Sequence, residues 1–185
     1  MRKHLLVSVA VAVATATALT ASSSSAHAAA PDEGAYKIKV LHSQKCLDVA
    51  SSPAGAGATI VQNTCAGKNT QRFTLVKVLD HEPFYRIKTA AGLCWTRDGA
   101  EKTNDLVIRQ QTCTTDFRQL FRIHALHKFD DVEYQAVYTT RHPALVDKCL
   151  HVYAVDYSDN VDLITYDCND PSTGYKNDAF TFVPA

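Results

Sequence analysis

An all-β fold of three repeated units is predicted by three features of this chain. Its six cysteines fall into three pairs of one spacing, Cys46 with Cys65, Cys94 with Cys113 and Cys149 with Cys168, each 19 residues apart. Short stretches with a period of two flank every pair. No 3.6-residue apolar pattern runs for the length of a helix. Equal intervals imply a structural unit of about fifty residues present three times. Six cysteines allow fifteen connectivities, and a repeat that closes its own loop selects the three local pairs.

Each unit opens on an alternating stretch: Tyr36-Lys-Ile-Lys-Val, Tyr85-Arg-Ile-Lys and Tyr134-Gln-Ala-Val-Tyr. Aromatic and aliphatic residues on one face and polar residues on the other make these half-buried strands. Immediately after the first cysteine stands Leu47, Trp95 or Leu150, and five residues before the second stands Ile60, Ile108 or Leu163. A closing strand follows in Phe73-Thr-Leu, Phe121-Arg-Ile-His-Ala and Phe180-Thr-Phe. These nine residues are the expected core, with Trp95 as an anchor. Turn signals lie between the strands at Ser51 to Gly57, Ala66 to Asn69, Asp98-Gly99 and Asn169 to Pro171. A unit of four short strands cannot bury its inner face alone, so three should share one core around a pseudo-threefold axis.

Residues 1–28 read as a secretory signal. Arg2 and Lys3 precede an apolar run from Leu5 to Leu19, and Ser22 to Ser25 lead to Ala26-His27-Ala28. The run is too short for a membrane span, which needs about 18–20 residues. Residues 29–35 are expected to be a flexible lead-in and residues 36–185 one domain, large enough to bury a core of its own. Export to an oxidising compartment suits the disulfides. Without Arg2 and Lys3, 17 basic residues face 19 acidic ones, a net charge near −2. That argues against nucleic acid or an anionic membrane as an electrostatically chosen partner.

The repeats carry a family resemblance. Lys45-Cys46-Leu47-Asp48-Val49, Gly57 to Cys65 and Gln71-Arg72-Phe73 are similar to one repeat of the ricin-type β-trefoil lectins. The second unit repeats the pattern in Gly92-Leu93-Cys94-Trp95 and Gln119-Leu120-Phe121. The third does so in Lys148-Cys149-Leu150-His151-Val152 and Asp178-Ala179-Phe180, with four extra residues after Cys168. The resemblance spans residues 36–185 and implies a β-trefoil whose three repeats are each closed by one disulfide. It also implies glycan binding, with galactose-like or related sugars as ligands and neither cofactor nor metal. The Ala-rich leader resembles those of actinobacterial exported proteins.

In such lectins an aspartate two residues after the first cysteine accepts hydrogen bonds from sugar hydroxyls, which suits an acceptor-only carboxylate. An aromatic two residues before the second cysteine stacks on the sugar, and an Asn precedes the Gln-x-aromatic motif. Carried over, the first unit holds Asp48 and Gln71, with Asn63 in the aromatic's place and Thr70 in the amide's. The second holds Thr96, Gln111 and Arg118 and is expected to be inactive. The third holds Tyr166 and Asn177, with His151 in the aspartate's place. The first unit is therefore the expected primary site and the third the secondary one. Replacing Asp48 with Ala is expected to change stability by less than about 1 kcal/mol.

Other chemistry is poorly represented. His124 and His127 should point to opposite faces of a strand, as a surface pair and not a metal site. Asp130-Asp131 reads as a solvated turn. No nucleophile elbow, zinc-protease motif or phosphate loop occurs, so an enzyme is not expected. The alternative to a lectin is a degenerate trefoil acting as a protein-interaction scaffold, an inhibitor or the targeting subunit of a multi-chain toxin.

Overall fold

The computed structural model describes residues 30–50, 55–81, 84–99, 103–129, 132–139, 148–169 and 174–185. Twelve strands are formed there and no α-helix, as the period-two pattern requires. The first unit contains β1 (Gly34–Val40), β2 (Cys46–Val49), β3 (Ile60–Asn63) and β4 (Phe73–Lys77). The second contains β5 (Phe84–Thr89), β6 (Cys94–Arg97), β7 (Ile108–Gln111) and β8 (Phe121–Phe129). The third contains β9 (Val132–Thr139), β10 (Lys148–Val152), β11 (Val161–Asp167) and β12 (Phe180–Pro184).

The first and last strands of the units close a ring, each pairing antiparallel with the next: β1–β4, β4–β5, β5–β8, β8–β9, β9–β12 and β12–β1. This six-stranded barrel leaves none of its strands with a free edge. The inner strands form the hairpins β2–β3, β6–β7 and β10–β11. These hairpins meet one another through β3–β11 and through the bridges Thr59–Arg109 and Val107–Ile164, capping one end of the barrel. The result is a β-trefoil.

All nine expected core residues are buried in a single cluster with threefold-equivalent places. Trp95 occupies the position of Leu47 and Leu150, and packs edge-on against Phe73 and Phe121 at ring separations of 5.0 and 6.2 Å. The three disulfides form as the repeat spacing predicts, with Cα separations of 4.9–5.0 Å.

A second threefold set is polar. Three residues before each second cysteine stand Gln62, Gln110 and Thr165, all buried. Each side chain donates to a backbone carbonyl in the hairpin loop of a neighbouring unit. Gln62 Nε2 reaches Asp156 and Ser158 O at 2.6 and 2.8 Å, Gln110 Nε2 reaches Gly55 O at 2.7 Å, and Thr165 Oγ1 reaches Thr103 O at 3.0 Å. The first unit thus holds the third, the second the first and the third the second. This closes a ring of part-buried hydrogen bonds, which satisfies the buried side-chain donors and ties each unit to the next.

Residues 31–35 differ from the expected loose lead-in. Gly34 and Ala35 belong to β1, opposite Leu75 and Thr74. The Tyr85 hydroxyl donates to Pro31 O at 2.9 Å, and the Lys77 N–H donates to the Glu33 carboxylate at 2.7 Å. An edge that β4 must pair with recruits these residues, although their composition suggests a tail. The signal segment, Asp130-Asp131 and the side chain of His127 lie outside the described residues. His124 is exposed, with its ring 6.4 Å from that of Tyr138.

Candidate functional site

In each unit one buried pair joins the residue two after the first cysteine to the first residue of the Gln-x-aromatic motif. Gln71 Nε2 donates to Asp48 Oδ2 at 3.1 Å and to Thr64 O at 2.9 Å, while the Ala66 N–H donates to Gln71 Oε1 at 2.8 Å. The second unit repeats this geometry. Gln119 Nε2 donates to Thr96 Oγ1 at 3.0 Å and to Thr112 O at 2.9 Å, and the Thr114 N–H donates to Gln119 Oε1 at 2.8 Å. The motif glutamine therefore ties the 3-10 turn to the cysteine strand in both units.

The third unit exchanges the two chemistries. His151 stands in the aspartate's place and Asp178 in the glutamine's, 3 % and 4 % exposed. Asp178 Oδ2 accepts the Asn169 N–H at 3.0 Å, as Gln71 and Gln119 accept theirs, and lies 3.7 Å from His151 Nε2. The carboxylate has moved across the pair. Burial holds the His151 imidazole below its ordinary value, with the Asp178 carboxylate as the main opposing influence. His151 Nε2 is buried without a hydrogen-bond partner.

On the His151 side of this pair lies a cleft of about 140 Å³, whose lining does not include Asp178. His151, Asn169 and Asn177 contribute polar groups, while Tyr153, Tyr166 and Tyr175 contribute rings. Tyr166 is 44 % exposed and is held at 5.6 Å from the His151 ring in an edge-on contact. Asn177 Nδ2 donates to Val152 O at 2.8 Å, and Asn169 Nδ2 donates to Asn177 Oδ1 at 3.1 Å and to Asp178 Oδ1 at 3.1 Å. The structure thus brings together His151, Tyr166 and Asn177.

The first unit also gathers its expected residues, but differently. Asp48 is only 3 % exposed. Its Oδ2 accepts from Asn63 Nδ2 at 3.2 Å as well as from Gln71, and its Oδ1 is buried without a partner. Asn63 Oδ1 accepts the Asn160 N–H at 2.9 Å, from the third unit's hairpin loop. Asp159 of the same loop accepts from the Thr64 N–H at 2.9 Å and pairs with Lys45. Thr70 is half-buried on the 3-10 turn beside Gln71. The polar groups of this unit are turned onto the chain itself.

Asp178, Asn169 and Tyr175 escaped the sequence reading. The reciprocal exchange of His151 and Asp178 was visible in the motif positions. Tyr175 follows the four-residue insertion after Cys168 and has no counterpart whose spacing could mark it. Among the described residues, no group of three or more His, Cys, Asp or Glu side chains could hold a metal ion.

A closed six-stranded barrel capped by three hairpins defines a β-trefoil domain. Residues 34–176 match the model of the ricin-type beta-trefoil lectin domain, and the chain belongs to that family. No curated protein matches. Similar solved structures include the designed 3-fold symmetric protein ThreeFoil, 24 % identical with TM-score 0.69, over 82 % of this chain and 99 % of that one. The exo-beta-1,3-galactanase 1,3Gal43A of Clostridium thermocellum is 22 % identical with TM-score 0.70, over 85 % of this chain but 31 % of the enzyme. The ricin B-like lectin of Macrolepiota procera, solved with lactose, is 11 % identical with TM-score 0.64, over 85 % and 100 %.

Proposed function

We propose that this protein is a secreted carbohydrate-binding protein whose third-unit cleft takes a galactose-like sugar without metal. The observation that carries this reading is the half-exposed Tyr166 ring standing beside buried His151 and Asn177. A pyranose stacked on Tyr166 would place its hydroxyls over the floor of the cleft, where Asp178 and Asn169 orient the polar groups. Tyr175 offers a second ring. The first unit, with Asp48, Asn63, Thr70 and Gln71, ranks second here, because its carboxylate oxygens are bonded internally or buried. Extracellular placement is supported by the signal-like residues 1–28 and by the three disulfides. No catalysis is proposed.

A single shallow site of this kind holds a monosaccharide at about millimolar, roughly −4 kcal/mol, so clustered glycans should be favoured. The test is a glycan array followed by titration with galactose and lactose. Tyr166→Ala should abolish binding while leaving the melting temperature in place, since the ring contributes little to the core. Binding of neither sugar, or binding indifferent to Tyr166, would refute the site.

A second reading, a protein-interaction scaffold within a larger assembly, is favoured by the internally bonded first unit. A mosquitocidal holotoxin aligns with this chain over 18 % of its own length. Co-purification with a partner in the absence of any glycan binding would support this reading instead.

A further inference from the structure

The cleft of the third unit is not built by the third unit alone. Asp105, from the loop between β6 and β7 of the second unit, lines it together with His151, Tyr166 and Asn177. Asp105 is exposed, and among the described residues its carboxylate accepts no hydrogen bond and joins no ion pair. His151 Nε2 is likewise without a hydrogen-bond partner. The place that holds Asp48 in the first unit holds His151 here, and a neutral imidazole accepts one hydrogen bond where a carboxylate accepts from two adjacent hydroxyls.

Threefold comparison separates what the turn at Asp105 needs from what its side chain adds. Asp105 stands eight residues before the second cysteine of its unit, where the first unit has Gly57 and the third Asn160. All three adopt the left-handed backbone, with φ of 96° at Gly57, 65° at Asp105 and 61° at Asn160. Each donates its N–H to the next unit: Gly57 to Gln110 O at 2.7 Å, Asp105 to Thr165 O at 2.7 Å and Asn160 to Gln62 O at 2.9 Å. Glycine supplies both the φ and the N–H without strain. The turn does not explain the carboxylate.

The loop is also fixed beside the tyrosine. Leu106 O accepts the Thr165 N–H at 2.9 Å, Thr165 Oγ1 accepts the Leu106 N–H at 3.2 Å, and Asn104 Nδ2 donates to Asp167 Oδ2 at 3.1 Å. Thr165 and Asp167 flank Tyr166 in β11, so these bonds hold Asp105 next to the exposed ring. The first unit shows the same juxtaposition. There Asn160 donates its N–H to Asn63 Oδ1 at 2.9 Å, and Asn63 occupies the place of Tyr166.

We infer that Asp105 is the sugar-hydroxyl acceptor of the third-unit cleft, which makes that site a joint product of two units. This rests on the sugar site proposed above at Tyr166. The test titrates galactose and its monodeoxy derivatives, followed by NMR, into wild type, Asp105→Gly, Asp105→Asn, Asn160→Gly and Tyr166→Ala, with thermal melts as a check on folding. Asp105→Gly should weaken galactose about tenfold, through loss of a hydrogen bond to a charged group, at a nearly unchanged melting temperature. Asp105→Asn suits the left-handed turn but offers one acceptor oxygen in place of two, and should fall between wild type and Gly. Asn160→Gly makes the equivalent change at the first unit and should leave binding unaltered. In wild type, the deoxy sugar lacking the accepted hydroxyl should bind about tenfold more weakly than galactose, and in Asp105→Gly that difference should vanish. Wild-type affinity in Asp105→Gly or Asp105→Asn, a deoxy penalty that survives Asp105→Gly, or an equal loss in Asn160→Gly overturns the inference and leaves the Tyr166 site standing. Galactose binding that is absent from wild type, or indifferent to Tyr166→Ala, brings down the third-unit site and the role of Asp105 with it.

Discussion

Asp48 is the residue at which family resemblance and structure point in different directions. Resemblance makes it a sugar acceptor whose loss affects affinity; its surroundings make it part of the framework. Asp48→Ala deletes the acceptor for Asn63 Nδ2 and Gln71 Nε2. Hydrogen bonds to a charged group contribute about 1.5–3 kcal/mol each. Two effects reduce the loss. Gln71 Nε2 keeps Thr64 O, and the buried, unpartnered Oδ1 no longer has to be held away from water. A net destabilisation of about 2 kcal/mol follows, above the 1 kcal/mol limit expected from sequence. In a domain of this size that lowers the melting temperature by roughly 4–8 °C. Asp48→Asn keeps an acceptor for both donors and should fall between wild type and Ala. Circular-dichroism melts of the three proteins, with titrations of galactose, separate the two roles. A melting temperature unchanged in Asp48→Ala, with sugar affinity lost, would refute the framework reading.

Ile108→Ala, removing a fully buried side chain of the shared core, should cost about 2–5 kcal/mol in urea denaturation; a value under about 1 kcal/mol would contradict its burial. Gln110→Ala cuts the link from the second unit to Gly55 and should cost about 1–2 kcal/mol. Gln110→Met also loses that bond but keeps the packing and removes the unpartnered Oε1, so it should be the milder change. His42 and His151 are both held below the ordinary imidazole value of 6.5, chiefly by burial. As pH falls, the unfolded chain takes up these protons first. Their contribution is therefore complete above about 6.5 and lost as pH drops through the lower folded values. Melts between pH 7.5 and 5 should show this fall, and His151→Asn should flatten it; an unchanged slope would remove His151 from the account.

How much was legible beforehand depended on whether a property is local in sequence. Equal cysteine intervals mark one covalent link per unit. Period-two alternation marks strand faces, and the places of Leu47, Trp95 and Leu150 mark one layer of the core. Each of these follows from spacing along a single repeat, so the sequence by itself determined the repeat, its disulfides and its buried apolar set. The sites were only partly legible because they are assembled across space. Motif position identified Tyr166, His151 and Asn177 and set Asp178 in the glutamine's place, but could not show that its carboxylate would lie 3.7 Å from His151 Nε2 or that Tyr175 would reach the same cleft. Nor could it show that Asn160 and Asp159, about a hundred residues away, engage Asn63 and Thr64. Those contacts are long-range and polar, and hydrogen-bond geometry depends on the distance and direction of partners that strand pairing brings together only in the closed trefoil. Apolar burial depends on how much surface leaves water and so follows from pattern; whether a buried polar group is available to a ligand depends on which neighbours already bind it, and only the tertiary structure decides that.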